Sequence, residues 1–313
     1  MPARYKPFTS PRLPPYLVLV IGVFCVSTAS ILIRLVQQEV GPLTIAAYRM
    51  ILSVLLLFPL AWQKREEWLS IPRSSLKAMG LGGLFLAFHF AFWITSLRLT
   101  SVTSSVVLVT TTPLWVALMS PFFLKEHPGI RTWIGLFIGV TGGVIVSLAQ
   151  GCTWQGWEIS CPDFASFFQG KAFLGNFLAL LGAWMAAGYM VVGRRVRSGL
   201  SLISYIFTVY GISAILLLAF ALSTGQTLFG FSPMMYVYLL GLAVIPQLLG
   251  HSSYNYALGY LPAAFVSLTI LMEPIGASIL AILILKEFPN ALEIIGGIII
   301  LTGVGLTSFP AKK

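Results

Sequence analysis

Apolar segments long enough to cross a lipid bilayer recur along the whole chain, and this pattern constrains the fold more than any other feature. A transmembrane helix needs about 20 mainly apolar residues, so each segment predicts one membrane-spanning helix. The stretches between them are too short to form a second folded domain. The sequence therefore predicts a single all-α membrane domain over 1–313, with ten helices at 16–36, 43–62, 77–97, 102–123, 130–149, 173–193, 202–222, 234–257, 263–285 and 291–308.

The charged residues fit this membrane class and predict an orientation. Only 9% of residues are charged and 58% are hydrophobic, a balance far from that of soluble domains. Fourteen of the 19 Lys and Arg residues fall in one set of alternate connections and four in the other. Because positive charge collects in cytoplasmic loops, both termini are predicted to be cytoplasmic, in an inner or plasma membrane. Loops at a membrane surface explain the net charge of +10, so nucleic acid is not an expected partner.

The longest connection, 150–172, is external in this orientation and carries two cysteines. Cys152 and Cys161 are nine positions apart, and an oxidising compartment would allow them to close a short disulfide loop. Two unpaired thiols are the alternative. The Cys and His residues of the chain show no spacing typical of a metal site, so neither a metal nor another cofactor is predicted.

The second half of the chain repeats the first after a shift of 161 residues. The shift aligns Pro113 with Pro274 and, without a gap, places Leu124-Lys125-Glu126 on Leu285-Lys286-Glu287. Matches of Ile or Leu would mean little between apolar helices. The ungapped match of Pro, Lys-Glu and Gly positions instead indicates an internal repeat.

Each copy of the repeat holds five predicted helices, the first over 16–149 and the second over 173–308. An odd number places the two copies in opposite orientations across the membrane. Such inverted repeats are typical of secondary transporters, in which the substrate site lies between the copies near the bilayer midplane. The copies differ where chemistry is expected, because Thr112 occupies the position in the first copy that Glu273 occupies in the second.

Glu273 is a carboxylate inside an apolar segment, directly before a proline. An ionised carboxylate within a bilayer is costly, so such residues face a cavity or a partner. Pro274 removes a helical hydrogen bond and predicts a hinge there, and Pro113 predicts the corresponding hinge in the first copy. Glu273 either binds substrate or protons or holds neighbouring helices together, and the rarity of intramembrane acids favours the first interpretation.

Arg49 and His89 are further candidates for the site. Arg49, in the second helix, could bind a substrate carboxylate or phosphate through its planar fork, or else snorkel to lipid phosphate. His89, near the middle of the third helix, could relay protons, although a buried histidine with a satisfied hydrogen bond is the commoner case. Arg49 and Glu273 together suit an amphoteric substrate, with Glu273 for its ammonium group or for a coupled proton.

The eighth predicted helix has an unusually polar face. Helical spacing places Gln247, His251 and Tyr254 on one side, as contacts between helices or as the lining of a cavity. Tyr48 and Trp93 could add aromatic walls that stack on cations or rings, although most aromatic residues in such bundles are packing residues. These side chains complete the predicted substrate and proton site.

The segment MEPIGASILAILILKE (272–287) and its partner TPLWVALMSPFFLKE (112–126) resemble a known family. With two five-helix halves and Ala47-Tyr48-Arg49 in the second helix, the chain is similar to the EamA-type exporters of the drug/metabolite transporter superfamily. The resemblance covers nearly all of the chain apart from 150–172. It implies a ten-helix exporter of amino acids or other small metabolites.

We therefore expect a secondary transporter that exports small polar metabolites such as amino acids, with coupling to protons through Glu273. Export of cationic or amphipathic drugs, or of a lipid-linked substrate, is the alternative, favoured by many aromatic and few polar residues. An intramembrane enzyme is a different class, but the chain has no His-Glu-x-x-His or Gly-x-Ser-x-Gly motif. The predicted partners are the bilayer and a small molecule, and the assembly is a monomer or a homodimer.

Overall fold

The apolar segments form helices in a computed structural model, which describes residues 11, 13–123, 129–151, 153–155, 158–160, 170–197, 199–261 and 263–308. The first half contains α1 (Pro15–Ser27), α2 (Ala29–Val36), α3 (Pro42–Gln63), α4 (Arg65–Leu69), α5 (Arg73–Ser96), α6 (Val102–Val109), α7 (Thr112–Phe123) and α8 (Ile130–Gly151). The second half contains α9 (Lys171–Arg197), α10 (Leu202–Ser223), α11 (Pro233–Leu242), α12 (Ser252–Leu258), α13 (Ala263–Thr269), α14 (Glu273–Leu280) and α15 (Ala291–Ser308).

Three short segments of other helix types connect helices of the second half. A π-helical segment, Ala243–His251, joins α11 to α12, and a 3₁₀ turn, Ile270–Met272, joins α13 to α14. A second π-helical segment, Ala281–Leu285, follows α14. These segments keep each run continuous while changing the direction in which its side chains point.

Eight helical runs of the described chain are long and apolar enough to cross a membrane. They are Pro15–Val36, Pro42–Gln63, Arg73–Ser96, Val102–Met119, Lys171–Arg197, Leu202–Ser223, Pro233–Leu258 and Phe265–Leu285. Two shorter apolar helices, Trp133–Val146 and Ala291–Gly303, lie within α8 and α15. The predicted class of helical membrane protein is confirmed, and the count of ten membrane helices stays a prediction.

The connection between α8 and α9 contains a departure from the all-α prediction. Strands β1 (Thr153–Gln155) and β2 (Glu158–Ser160) form a short antiparallel pair, in which Thr153 pairs with Ser160. Three-residue strands carry too little alternation to be detected in a sequence. The predicted disulfide cysteines, Cys152 and Cys161, lie outside the described residues, so their pairing stays a prediction.

Prolines and serines set several helix starts. Pro15 and Pro42 lie in the first turns of α1 and α3, where a missing N–H removes no helical bond. Ser101 precedes α6, and its Oγ accepts a hydrogen bond from the Ser104 N–H at 3.0 Å. The prolines remove, and the serine hydroxyl accepts from, backbone N–H groups that the first turn of a helix leaves unpaired.

The internal repeat is visible in the positions at which helices begin. Helix α6 begins at Val102 and α13 at Ala263, while α8 begins at Ile130 and α15 at Ala291. Helix α7 begins at Thr112 and α14 at Glu273. Each pair differs by the 161 residues that align the two halves of the sequence, so both copies interrupt this span at the same place.

Helices α8 and α15, which are equivalent in the repeat, pack along each other at glycines. A Cβ atom on Gly142 would lie 2.7 Å from the Gly296 carbonyl oxygen, and one on Gly303 would lie 2.6 Å from that of Gly135. The two backbones therefore touch directly, as in contacts between small residues of membrane helices. Residue numbers rise along α8 as they fall along α15, so the two helices run antiparallel.

The remaining long helices surround the centre of the bundle in matched pairs. Helix α5 packs along α9, α3 along α10, and α1 against the segment Ala243–His251 and α12. Side chains near the centre of these pairs form the largest hydrophobic core of the described chain. This arrangement brings residues of both repeats to one interior space.

Candidate functional site

A cavity lies between helices of both repeats, with an empty volume of about 620 Å³ including its opening. Its walls come from α1, α2, α5, α6, α7, α9, α12 and α14 and from the segments between them. The polar part of the lining consists of His89, Trp93, Thr110, Thr112, Tyr189, His251, Tyr254, Asn255 and Glu273. A mostly apolar cavity with a few converging polar groups is typical of small-molecule sites.

Glu273 reaches this cavity from the first position of α14. The 3₁₀ turn Ile270–Met272 interrupts the helix before it, and Pro274 occupies the next position. The side chain is 8% exposed, and among the described residues none donates a hydrogen bond to its carboxylate. The N-terminal end of a helix carries partial positive charge, which favours a carboxylate at this position.

Thr112, the counterpart of Glu273 in the repeat, also lines the cavity. Its hydroxyl donates to the Val109 carbonyl oxygen at 2.8 Å and lies 3.4 Å from that of Ala183. Pro113 follows it in the first turn of α7, as Pro274 does in α14. The two helix starts thus present different chemistry to one space, a bonded hydroxyl and an unpartnered carboxylate.

Two histidines face each other across the cavity. The His89 Nδ1 lies 2.9 Å from the Gly182 carbonyl oxygen, which can only accept, so Nδ1 carries the hydrogen. The neutral ring then presents Nε2 as an acceptor. The ring stacks on Trp93 with centroids 5.8 Å apart, and the His251 ring is 6.2 Å away. His89 therefore has a structural hydrogen bond at Nδ1, and its Nε2 has no hydrogen-bond partner among the described residues.

A chain of hydrogen bonds that the sequence did not reveal lies behind His251. The Tyr189 hydroxyl donates to Asn255 Oδ1 at 2.8 Å. Asn255 Nδ2 donates to the His251 carbonyl oxygen at 2.9 Å and to the Tyr210 hydroxyl at 3.3 Å. Asn255 lies in the polar helix identified from the sequence, but Tyr189 and Tyr210 sit in apolar helices, where no local pattern marks them.

Arg49 is fully buried beside the cavity and is absent from its lining. Its Nε donates to Gln247 Oε1 at 2.8 Å, and its Cζ lies 4.2 Å from the centre of the Phe90 ring. The charge of Arg49 acts on Glu273, although the two side chains are not within ion-pair distance. The structure thus brings Arg49, Gln247 and Glu273 to one interior region without joining the two charges.

The π-helical segment changes the face expected for the eighth predicted helix. His251 and Tyr254 line the cavity, whereas Gln247 points to Arg49. A π-helix has wider turns than an α-helix, so residues within it depart from α-helical spacing. Tyr48 lies elsewhere, with its hydroxyl donating to the Leu228 carbonyl oxygen at 2.9 Å and its ring packed on Tyr236.

A separate group of carboxylates, which we call the end carboxylates, consists of Glu67, Glu287 and Glu293 and caps helices. Glu287 accepts a hydrogen bond from the Val102 N–H at 2.5 Å and pairs with Arg34 at 3.4 Å. Glu293, at 2% exposure, accepts from the hydroxyls of Ser101 and Ser104 and from the Asn290 N–H. Both therefore tie the start of α6 to the connection before α15.

Glu67 plays the same part at the start of α10. It accepts hydrogen bonds from the Ser201 N–H at 2.8 Å and from the Ser204 hydroxyl at 3.1 Å. Partial burial acts to raise the pKa of Glu67, but these hydrogen bonds lower it further, so the pKa lies below its usual value. Folding is thereby coupled to the ionised form of this carboxylate.

The sequence model of the EamA-like transporter family matches this chain twice, at residues 13–148 and 173–309. The chain belongs to the EamA-like transporter family. The two matches cover most of its length, and their boundaries correspond to the two copies found by shifting the sequence against itself. No group of three or more metal-binding side chains occurs in the part of this EamA-like protein that the structure describes.

Relatives of this EamA-like protein are named as transporters. It is 26% identical to an uncharacterized transporter of Archaeoglobus fulgidus over 298 residues, which cover 94% of this chain and 96% of that protein. It is also 26% identical over 285 residues to the uncharacterized transporter YdfC of Bacillus subtilis, covering 90% and 86% of the two chains.

A solved crystal structure shares the fold of the EamA-like chain. It superposes with a TM-score of 0.63 at 16% identity, over 93% of this chain and 95% of the other. Family, relatives and helices together indicate a multi-pass membrane transporter.

Proposed function

We propose that this EamA-like protein is a secondary active transporter that exports small polar metabolites, amino acids among them, and couples export to protons at Glu273. The observation that carries the proposal is the Glu273 carboxylate, which faces the cavity without a hydrogen-bond partner among the described residues. A carboxylate at this depth is costly unless something binds it. A proton and a substrate ammonium group could each neutralise this carboxylate, one after the other, during a transport cycle.

Alternating access follows from the proposed topology of ten helices in two inverted copies with cytoplasmic termini. The matched helix starts and the antiparallel course of α8 and α15 support this topology. In transporters built this way, one bundle rocks against the other and exposes a site near the midplane to each side in turn. The cavity, lined by both copies, is the site that such rocking would expose.

The end carboxylates support a closed external side in this conformation. In the proposed orientation, Glu287 and Glu293 lie at the external end and hold the start of α6 against the connection before α15. Arg34 adds a link from α2, because it also donates to the Thr100 carbonyl oxygen at 2.9 Å. Opening the cavity outward would require these contacts to separate.

An apolar groove favours a second candidate, export of cationic or amphipathic drugs or lipid-linked molecules. The groove lies between α1 and the run from α13 to α14, with an empty volume of about 1310 Å³. Val23 and Phe24 of α1 face Met272 and Ile275 across it. Helices α1 and α14 line both the groove and the cavity, so an apolar substrate held in the groove would lie beside the helix that carries Glu273.

The first test is efflux of a panel of labelled amino acids from cells expressing the wild type or Glu273→Gln. The substitution removes the charge and keeps the shape, so we expect the wild type to accelerate the loss of one or a few amino acids and the variant to fail. Thr112→Val is the matched control, because it changes the equivalent position of the other copy without touching a charge.

Unchanged pH-driven efflux by Glu273→Gln would refute the coupling role. No amino acid exported faster than in cells lacking the protein would refute the substrate class. A panel of cationic dyes in the same cells then tests the second candidate. That candidate predicts faster dye efflux from cells expressing the wild type than from cells lacking the protein.

A further inference from the structure

Beside the cavity lies a group of buried N–H donors that the proposed function does not use. We infer that Arg49 and Gln247 form a closed recess that receives the carboxylate of the transported molecule. This donor recess consists of the Arg49 Nη1 and Nη2 groups and the Gln247 Nε2 group. The inference rests on the proposed function and defines its substrate class as molecules that carry a carboxylate.

The donors of the recess are buried and lack acceptors. Arg49 and Gln247 are both fully buried, yet neither Nη1 nor Nη2 of Arg49 has a hydrogen-bond partner among the described residues, and Gln247 Nε2 has none closer than the neighbouring Tyr210 hydroxyl. The single bond between Arg49 Nε and Gln247 Oε1 holds the two side chains together at 2.8 Å. Buried polar groups are nearly always paired, and an unpaired guanidinium is among the costliest exceptions.

The chemistry of the recess selects an anion with two acceptor oxygens. Every unpaired group in it is a donor, so an amine or an ammonium group would find no partner there. A guanidinium presents its two Nη groups in a planar fork that matches a carboxylate. Phe90 covers one face of the guanidinium at 4.2 Å, and the edge that carries the two Nη groups is buried in this conformation. One positive charge also suits a monoanion better than a dianionic phosphate.

The recess adjoins the cavity through two aromatic rings. The Phe90 ring, which contacts Arg49, lies 5.3 Å from the ring of His251, and His251 lines the cavity. Gln247 and His251 both belong to the π-helical segment, so one element carries a donor of the recess and the side chain that separates it from the cavity. In the proposed binding mode these two rings move aside, and a zwitterion engages the recess through its carboxylate and Glu273 through its ammonium group.

The first experiment compares acids with their amides on the purified full-length protein in nanodiscs. Each L-amino acid and its amide is titrated while the apparent melting temperature is followed. We expect at least one acid to stabilise the protein and its amide to bind at least about tenfold more weakly, since the amide loses the charge that the fork recognises. Arg49→Lys should weaken binding of the acid by a similar factor and leave any binding of the amide unchanged.

Gln247→Glu tests the recess without relying on a substrate. The new carboxylate would sit beside the Arg49 fork and supply the missing anion from within the protein. We expect the apparent melting temperature without ligand to rise by about 3 °C or more, and stabilisation by acids to disappear. Gln226→Glu is the matched control, because the Gln226 Oε1 already accepts from the N–H groups of Leu43 and Thr44.

Amides that bind as tightly as their acids would overturn the inference. So would a Gln247→Glu variant that is less stable than the wild type and is still stabilised by acids. Acids that bind to the recess but are not exported would refute the proposed transport and leave the recess standing. Amino-acid export that is unchanged in Arg49→Lys would refute the recess and leave the proposed transport standing.

Discussion

Glu273 and the end carboxylates occupy opposite situations, although Glu273 and Glu287 lie only 14 positions apart in one segment. Glu293 accepts hydrogen bonds from two hydroxyls and one backbone N–H, and Glu287 accepts from a backbone N–H and pairs with Arg34. Glu273 has none of these partners among the described residues. The end carboxylates hold helices together, whereas Glu273 keeps its carboxylate available.

This difference teaches that the position of an acid in an apolar sequence does not reveal its use. A carboxylate with several donors adds to stability, and its removal leaves those donors unpaired. A carboxylate without donors adds nothing to stability in its ionised form, so its presence points to a ligand. Thermal stability and transport should therefore respond in opposite ways to changes in the two groups.

The largest expected loss of stability follows Glu293→Ala. Three donors lose a charged acceptor at a site of 2% exposure, so we expect a cost of about 3 kcal/mol, or a fall of about 6–10 °C in the apparent melting temperature. Glu293→Gln keeps an acceptor oxygen and should lose less than half as much. A melting temperature of Glu293→Ala within about 2 °C of the wild type would contradict the capping role.

A smaller effect is expected at Glu67 and depends on pH. Because its pKa in the folded protein lies below the usual value of 4.5, its stabilisation is present above that pH and is lost as pH falls through the lowered pKa. Solvent screening limits the contribution to about 1 kcal/mol or less. Melting temperatures of the wild type and Glu67→Gln should differ at pH 7 and converge as the pH falls below 4.5 and through the lowered pKa. A difference in melting temperature that grows as the pH falls would contradict the conclusion that ionised Glu67 stabilises the fold.

The smallest effect on stability is expected for Glu273→Gln, the variant that should abolish coupled transport. No described donor loses a partner, so its melting temperature should stay within about 2 °C of the wild type or rise slightly. This measurement separates a functional carboxylate from a structural one. A fall as large as that of Glu293→Ala would place Glu273 among the structural acids.

Much of the fold could be predicted because its signals are local or periodic. Each of the ten apolar segments overlaps a helix, and the shift that aligns Pro113 with Pro274 also relates the starts of α7 and α14. Prolines and capping serines act within a few residues of themselves, so their effect can be deduced from the sequence. The helix breaks before α7 and α14 follow from the same local effect, because a proline cannot donate a backbone hydrogen bond to the preceding turn.

The site was harder to predict because its contacts join distant positions. Arg49 and Gln247 are 198 residues apart, and no pattern in either helix marks the bond between them. Tyr48 is adjacent to Arg49 in sequence, but successive residues of a helix point about 100° apart, which directs Tyr48 to the Leu228 carbonyl oxygen instead. Gln247 contacts Arg49 while His251, four positions later, lines the cavity, and helical spacing could not show which partner each side chain would meet.

The glycine contacts between α8 and α15 have a mechanical consequence. With carbonyl oxygens less than 3 Å from where side chains would begin, the two helices cannot slide along each other without collision. The contacts of Gly142 with Gly296 and of Gly135 with Gly303 exchange under the repeat, so both copies are anchored alike. In the proposed alternating access we therefore expect this seam to stay fixed while the helices that line the cavity move.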